Sequence, residues 1–342
     1  MRAFHRFFGM AILLFVLFYT SCSPASPQRE TQFAMGTVCS ITIFDSKRPD
    51  LFKKAFERIY ELENIFSANL EGSDLNKVNK NAGLVPVRVS PELIEVLLKA
   101  LEYAEKSGGL FDPTVGPLVK LWAIGTDEAH IPTNEEIISA LALIDYRDIE
   151  INQKEGTVYL KRPGMALDLG GIAKGYAADE AAELLAMEGV ERAIIDLGGN
   201  IFALGERKVK KAEDSCWRIG IQDPGEERGM YIGIVKVKNK SVVTSGNYER
   251  FFEEDGLRYH HIFSTETGFP AGNSLLSVSV AADRSIDADA LSTSAFVLGW
   301  ERGRELIASV NGAEGIFVFD DHTVRVTGSL EKNFILTAEG FR

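Results

Sequence analysis

Residues 166 to 179, Ala-Leu-Asp-Leu-Gly-Gly-Ile-Ala-Lys-Gly-Tyr-Ala-Ala-Asp, constrain the fold more than any other stretch of the chain. An apolar approach from Met165 to Leu169 reads as a strand, Gly170 and Gly171 as a tight turn, and Ile172 to Met187 as one Ala-rich helix. Two glycines permit positive φ and remove side chains that would hold a ligand off the backbone, while N–H groups at a helix start attract anions. Lys174, one turn in, adds a mobile positive charge. The combination suits a phosphate-bearing ligand; it equally suits a plain connection between strand and helix.

The N-terminus belongs to export. Arg2, His5 and Arg6 precede an apolar run from Phe7 to Phe18, followed by Tyr19-Thr20-Ser21-Cys22 and a Pro-containing polar stretch. Residues 1–21 read as a signal segment, too short for the roughly 20 apolar residues of a spanning helix. A cysteine directly after small residues at the end of such a segment resembles the lipobox of bacterial lipoproteins, with Cys22 as the lipidated residue. Tyr19 departs from that pattern, since Leu is typical there. Residues 22–32 are then a lipidated tether, and 33–342 a single domain with two lobes. Only Cys39 and Cys216 remain in it, too few for a disulfide framework, and the 45% hydrophobic content has to supply an ordinary core. The net charge of −12 argues against nucleic acid as a partner, and a phosphate substrate would need local compensation, most simply a metal ion.

Beyond the tether, Val38 to Phe44 alternates like a strand, and Leu51 to Phe66, Pro91 to Lys106 and Asn134 to Ile144 carry helical spacing. Ala193 to Leu197, Trp217 to Gln222, Tyr231 to Val237, Tyr259 to Phe263, Leu275 to Ala281 and Glu314 to Phe319 read as extended. Asp287 to Leu298 and Arg302 to Val310 read as helices. The fold class is α+β, with mostly antiparallel strands and flanking helices. Asp-Leu-Gly-Gly occurs at 168 and again at 196, which reads as two similar turns facing one site and not as a sequence repeat.

Several residues offer chemistry. Asp289 and Thr293 stand four apart in a helix, so a carboxylate and a hydroxyl share one face and match the hard oxygen ligands Mg²⁺ prefers. Asp287 and Asp289 could simply complement the helix dipole. Thr244, Ser245 and Gly246 form a small polar loop after a strand, able to hold a phosphate. His260 and His261, adjacent in a strand, point to opposite faces, so at most one serves a given site. Leu110, Phe111 and Asp112, with Trp122 beyond, bring aromatics among turn formers, fit for burying a flat ring or for the core. No Walker A motif, dinucleotide fingerprint, Cys-x-x-Cys pair or nucleophile elbow is present.

Read in order, Ala34-Met35-Gly36-Thr37, Phe111 to Leu118, Asp168 to Tyr176, Thr244-Ser245-Gly246, His261 with Thr267-Gly268, and Asp289 to Thr293 resemble the FAD:protein FMN transferase family, ApbE. The resemblance spans nearly the whole exported body. It implies two lobes around a central FAD and Mg²⁺ site, in an enzyme that breaks the FAD pyrophosphate. FMN would pass to a Thr or Ser hydroxyl of an exported or membrane redox flavoprotein, with release of AMP, at the periplasmic face of the bacterial inner membrane. Carried onto this chain, Asp289, Thr293 and the backbone carbonyl of Ala166 are expected metal ligands. Met35, Leu110 to Asp112, Asp168, Gly171 and Lys174 are expected FAD contacts. His261 is the expected base, with Asp168 or a metal-bound water as alternatives.

One residue departs from the family pattern: Asn69 stands where a Tyr that covers the flavin is common. A lost stacking partner removes about 0.5 to 1.5 kcal/mol. That raises a second reading, an FAD pyrophosphatase releasing FMN and AMP. A third is an FAD-binding lipoprotein without chemistry.

Overall fold

The computed structural model describes residues 26–209 and 215–342, so the export segment and Cys22 lie outside the described residues. Eight strands form the central sheet: Gln28–Ala34, Thr37–Ile43, Ala193–Leu197, Asn200–Leu204, Lys240–Gly246, Leu275–Ala282, Glu314–Phe319 and Val324–Val326. They lie side by side in chain order, and every neighbouring pair is antiparallel. The expected α+β class holds. The size of the protein comes from what is inserted between consecutive strands, and those insertions build the walls around the site.

Alternation along the strands sends side chains to two cores. Phe202, Val243 and Phe317 join one cluster, while their neighbours Ala203, Val242 and Ile316 join another. The first face is covered by the helices Asp50–Phe66, Ala173–Met187 and Ser285–Ala308; the second by a small sheet of Trp217–Gln222, Tyr231–Val237 and Phe334–Leu336. In Asp50–Phe66 the buried residues Phe52, Phe56, Ile59 and Leu62 repeat at helical spacing, which makes one apolar stripe. Among the described residues no helix is long and apolar enough to cross a membrane.

Ser285–Ala308 runs where two helices were expected, and Gly299, at φ 73°, interrupts it near the expected gap. Its first amides are capped from outside. Both carboxylate oxygens of Asp179, on Ala173–Met187, accept from Ser285 N (2.6 Å) and Ile286 N (3.0 Å). Burial pushes Asp179 up to about 6 despite those bonds.

Five local expectations are corrected. Gln28–Ala34, of which residues 28–32 were assigned to the tether, is an edge strand, because Met35 (φ 49°) and Gly36 (φ 69°) close a two-residue hairpin that zips this polar segment onto Thr37–Ile43. Met165–Leu169 is extended but is no sheet strand. Its polar groups pair with the Asn79 side chain and with the backbone of residues 113 to 116. Thr244, Ser245 and Gly246 end a strand and do not follow one, and the strand expected over Tyr259 to Phe263 is Leu257–His260. The helix expected over Asn134 to Ile144 stops at Leu141.

Candidate functional site

A cavity of about 520 Å³ opens where the insertions converge on one end of the sheet. Its wall includes the hairpin turn at Met35, the loop at Asn69, Leu110 to Asp112, and the glycine turn with Asp168, Gly171 and Lys174. It also includes the strand end Thr244 to Gly246, His261, and the helix face bearing Asp289 and Thr293. All of these were expected site residues, and the fold brings them together.

Gly170 and Gly171 do not use the positive φ open to glycine; Gly198 (65°) and Gly199 (99°) of the second Asp-Leu-Gly-Gly do. The first turn needs glycine for closeness. A Cβ on Gly171 would stand 3.2 Å from the Phe111 ring and from the Thr293 hydroxyl. Asp168 Oδ1 accepts from Gly170 N at 2.8 Å and Asp196 Oδ1 from Gly199 N at 2.9 Å, so the two turns share one internal bond type. Gly170 and Gly198 both border the cavity. The helix start is less open to anions than its sequence implies. Ile172 N and Ala173 N donate to Leu169 O, and Gly175 N donates to Asp289 Oδ2. Lys174 Nζ, parked on Gly170 O at 2.9 Å, is a cation beside the turn.

Asp289 is 3% exposed. Its Oδ2 takes the Gly175 amide at 2.9 Å. Thr293 Oγ1 lies 3.1 Å from Ser245 Oγ, which lies 2.8 Å from Ser292 Oγ. A carboxylate and a hydroxyl one turn apart on a cavity wall fit Mg²⁺, which takes few protein ligands and completes its octahedron with water and phosphate. The expected third donor is placed differently. The Ala166 carbonyl accepts from Gly116 N at 3.2 Å, and Ala166 is not among the residues bordering the cavity. Among the described residues no cluster of three or more His, Cys, Asp or Glu could hold a metal.

Histidine chemistry divides as the sequence required. His260 is buried edge-on against Phe296, and His261 borders the cavity. His261 Nδ1 stands 3.2 Å from the Arg250 carbonyl, which can only accept, so Nδ1 carries the proton and Nε2 is left as a basic nitrogen. Enclosure by the walls pulls its imidazole down to about 4, so it is neutral at pH 7 although part of its surface faces the cavity.

Asp112 fastens the wall. Its Oδ1 takes Thr114 N and Thr114 Oγ1, both at 2.7 Å, and its Oδ2 takes Tyr146 N at 2.9 Å; burial still pushes it upward. Trp122 does not border the cavity. It is fully buried, stacks on Tyr259 and donates its indole N–H to Gly268 O at 2.9 Å, so packing in a third core claims it. Asn69 is exposed at the rim. Sequence reasoning missed Asn200, Arg228, Glu249 and Arg250, which also border the cavity, with Arg228 paired to Glu249 at 2.6 Å. Only Asn200 carried a signal, as the residue following the second Asp-Leu-Gly-Gly.

Residues 35–317 match the model of the ApbE family. The chain is similar to a Treponema pallidum protein named FAD:protein FMN transferase, with 41% identity covering 91% of this chain and 90% of that one. A Klebsiella pneumoniae protein of the same name is 35% identical over 85% of this chain and 89% of its own. Two solved structures share the fold. The ApbE protein of Thermotoga maritima has TM-score 0.80 and 32% identity, over 90% of this chain and 99% of that one. The flavin transferase ApbE from Vibrio cholerae has TM-score 0.80 and 27% identity, over 91% and 100%. With its motifs gathered on one cavity and a match running from the hairpin turn to the seventh strand of the sheet, the chain belongs to the ApbE family.

Proposed function

We propose that this protein is a Mg²⁺-dependent FAD:protein FMN transferase that moves FMN from FAD to a Thr or Ser hydroxyl of an exported or membrane redox protein and releases AMP. The observation that carries this is the convergence of Asp289, Thr293, Lys174 and a neutral His261 on one cavity. In the reaction the acceptor oxygen bonds to the FMN phosphorus, and the bond from that phosphorus to the bridging oxygen breaks. AMP leaves with that oxygen, and the hydroxyl proton goes to a base.

Each residue has a defined task. Asp289 and Thr293 would hold the magnesium, which offsets phosphate charge and stabilises charge developing in phosphoryl transfer. Lys174 adds a second positive charge in a protein whose net charge of −12 repels the substrate. His261 offers Nε2 for the acceptor proton while the Arg250 carbonyl fixes its tautomer; a placed base of this kind contributes about 10² to 10⁴ in rate. Asp168 stands in the same wall, with Oδ1 engaged by Gly170 N.

The exposed, non-aromatic Asn69 at the rim favours a second reading, in which water takes the place of the acceptor and free FMN is released. Incubation with FAD and Mg²⁺, with and without an acceptor protein bearing a reactive Thr, separates the two. A covalently fluorescent acceptor with AMP supports transfer. AMP and FMN alone support hydrolysis, and unchanged FAD rejects both. For location, the reading rests on the apolar export segment ending at Cys22: a lipoprotein on the periplasmic face of the inner membrane.

A further inference from the structure

The strongest unexplained group in the cavity is Asn200. It is 2% exposed, it borders the cavity, and among the described residues its Nδ2 has no hydrogen-bond acceptor. Buried amide donors are nearly always paired, because an unpaired one forfeits its hydration for nothing. The position is built, not incidental. Asn200 opens its strand directly after Gly198 and Gly199, whose positive φ values bring the chain round, and it sits opposite Val243 on the next strand. Ser245 is therefore its diagonal neighbour on the same sheet face, roughly 7–8 Å away by backbone geometry. Ser245 in turn touches Thr293.

We propose that Asn200 contacts the substrate, its amide NH₂ donating to a phosphoryl oxygen of the bound dinucleotide. The inference rests on the FAD reading above and adds a residue to it. A neutral donor suits this place: it binds an anionic oxygen without needing a counter-charge when the cavity is empty. The terminal amide torsion is soft, so the group can turn toward an entering oxygen. Among the described residues no hydrogen bond of Nδ2 is lost on its removal. Asn200→Ala therefore separates a ligand role from a structural one.

The test uses the full-length protein, with Asn200→Ala and the isosteric Asn200→Asp, and titrates FAD in EDTA, FMN, AMP and riboflavin by fluorescence or competition. Expected are an FAD dissociation constant raised about tenfold or more in both variants, riboflavin binding unchanged, and an apo melting temperature for Asn200→Ala no lower than wild type. FMN and AMP then show which phosphate is contacted. FAD affinity within twofold of wild type in both variants overturns the assignment. So does riboflavin weakened as much as FAD, or a lowered apo melting temperature for Asn200→Ala. A wild type that binds no flavin nucleotide defeats the FAD reading itself, and this assignment with it.

Discussion

The backbone N–H of Gly175 donates to Asp289 Oδ2 at 2.9 Å, tying the helix behind the glycine turn to the helix that carries the expected metal ligands. Two helices come this close only because Gly175 has no side chain; a Cβ there would collide with the Ser285 carbonyl and stand 2.7 Å from Ile286 Cα. Gly175→Ala should therefore push the helices apart, lower stability by about 1–3 kcal/mol and weaken Mg²⁺ binding as Asp289 is released. Urea denaturation and Mg²⁺ titration check this; an unchanged midpoint with unchanged metal affinity would remove the linkage.

The two histidines predict the acid side of the pH dependence. Burial lowers both His260 and His261 to about 4. The unfolded chain then binds more protons than the native one between about 6.5 and 4, so their contribution to stability is complete above 6.5 and falls as pH drops through that window, at up to about 1.4 kcal/mol per pH unit per proton. Asp179, raised to about 6, acts oppositely, with stability present at low pH and lost as pH rises through 6. The comparison must therefore be with a variant: His260→Asn should show a shallower loss of stability between pH 6.5 and 4 than wild type. For catalysis, the acid limb of kcat/KM should lie nearer 4 than 6.5. A half-maximal point at 6.5 would take His261 out of the base role.

At the rim, Asn69→Tyr should tighten FAD binding by about tenfold for each 1.4 kcal/mol of stacking gained. Ground-state binding not matched in the transition state slows turnover, so the variant should purify yellow and hydrolyse FAD more slowly. Equal dissociation constants and equal hydrolysis rates would make Asn69 irrelevant to the choice between water and acceptor.

Anchoring is checked at Cys22. Wild type should partition into detergent and take up labelled palmitate, while Cys22→Ser should do neither. Mass spectrometry finding an unmodified Cys22 in the native protein would contradict the lipoprotein reading.

Elements with strong internal periodicity were legible in the sequence: Ala193–Leu197, Trp217–Gln222 and Tyr231–Val237 stand where alternation places them. The gathering of Asp168, His261 and Asp289 was legible only through ordered motifs, since pattern within a segment says nothing about which segments meet. Met165–Leu169 has strand composition, yet its amides found a side chain and a loop instead of a sheet. Trp122 illustrates the same gap: an aromatic among turn formers serves core or ligand equally well, and the partners that decide, Tyr259 and Gly268, are remote in sequence. Arg228 reaches the cavity from a loop between two strands of the small sheet, a placement no local signal announces.

The most direct measurement is AMP release from FAD by wild type and by Asp289→Asn, each with Mg²⁺ and with EDTA. The Asn side chain preserves an acceptor for the Gly175 amide, so the variant should stay folded. Wild type with Mg²⁺ should release AMP; EDTA or the substitution should reduce that release at least a hundredfold while the circular dichroism spectrum is unchanged. Full AMP release by folded Asp289→Asn, or by wild type in EDTA, would contradict a metal-assisted cleavage of FAD at this cavity.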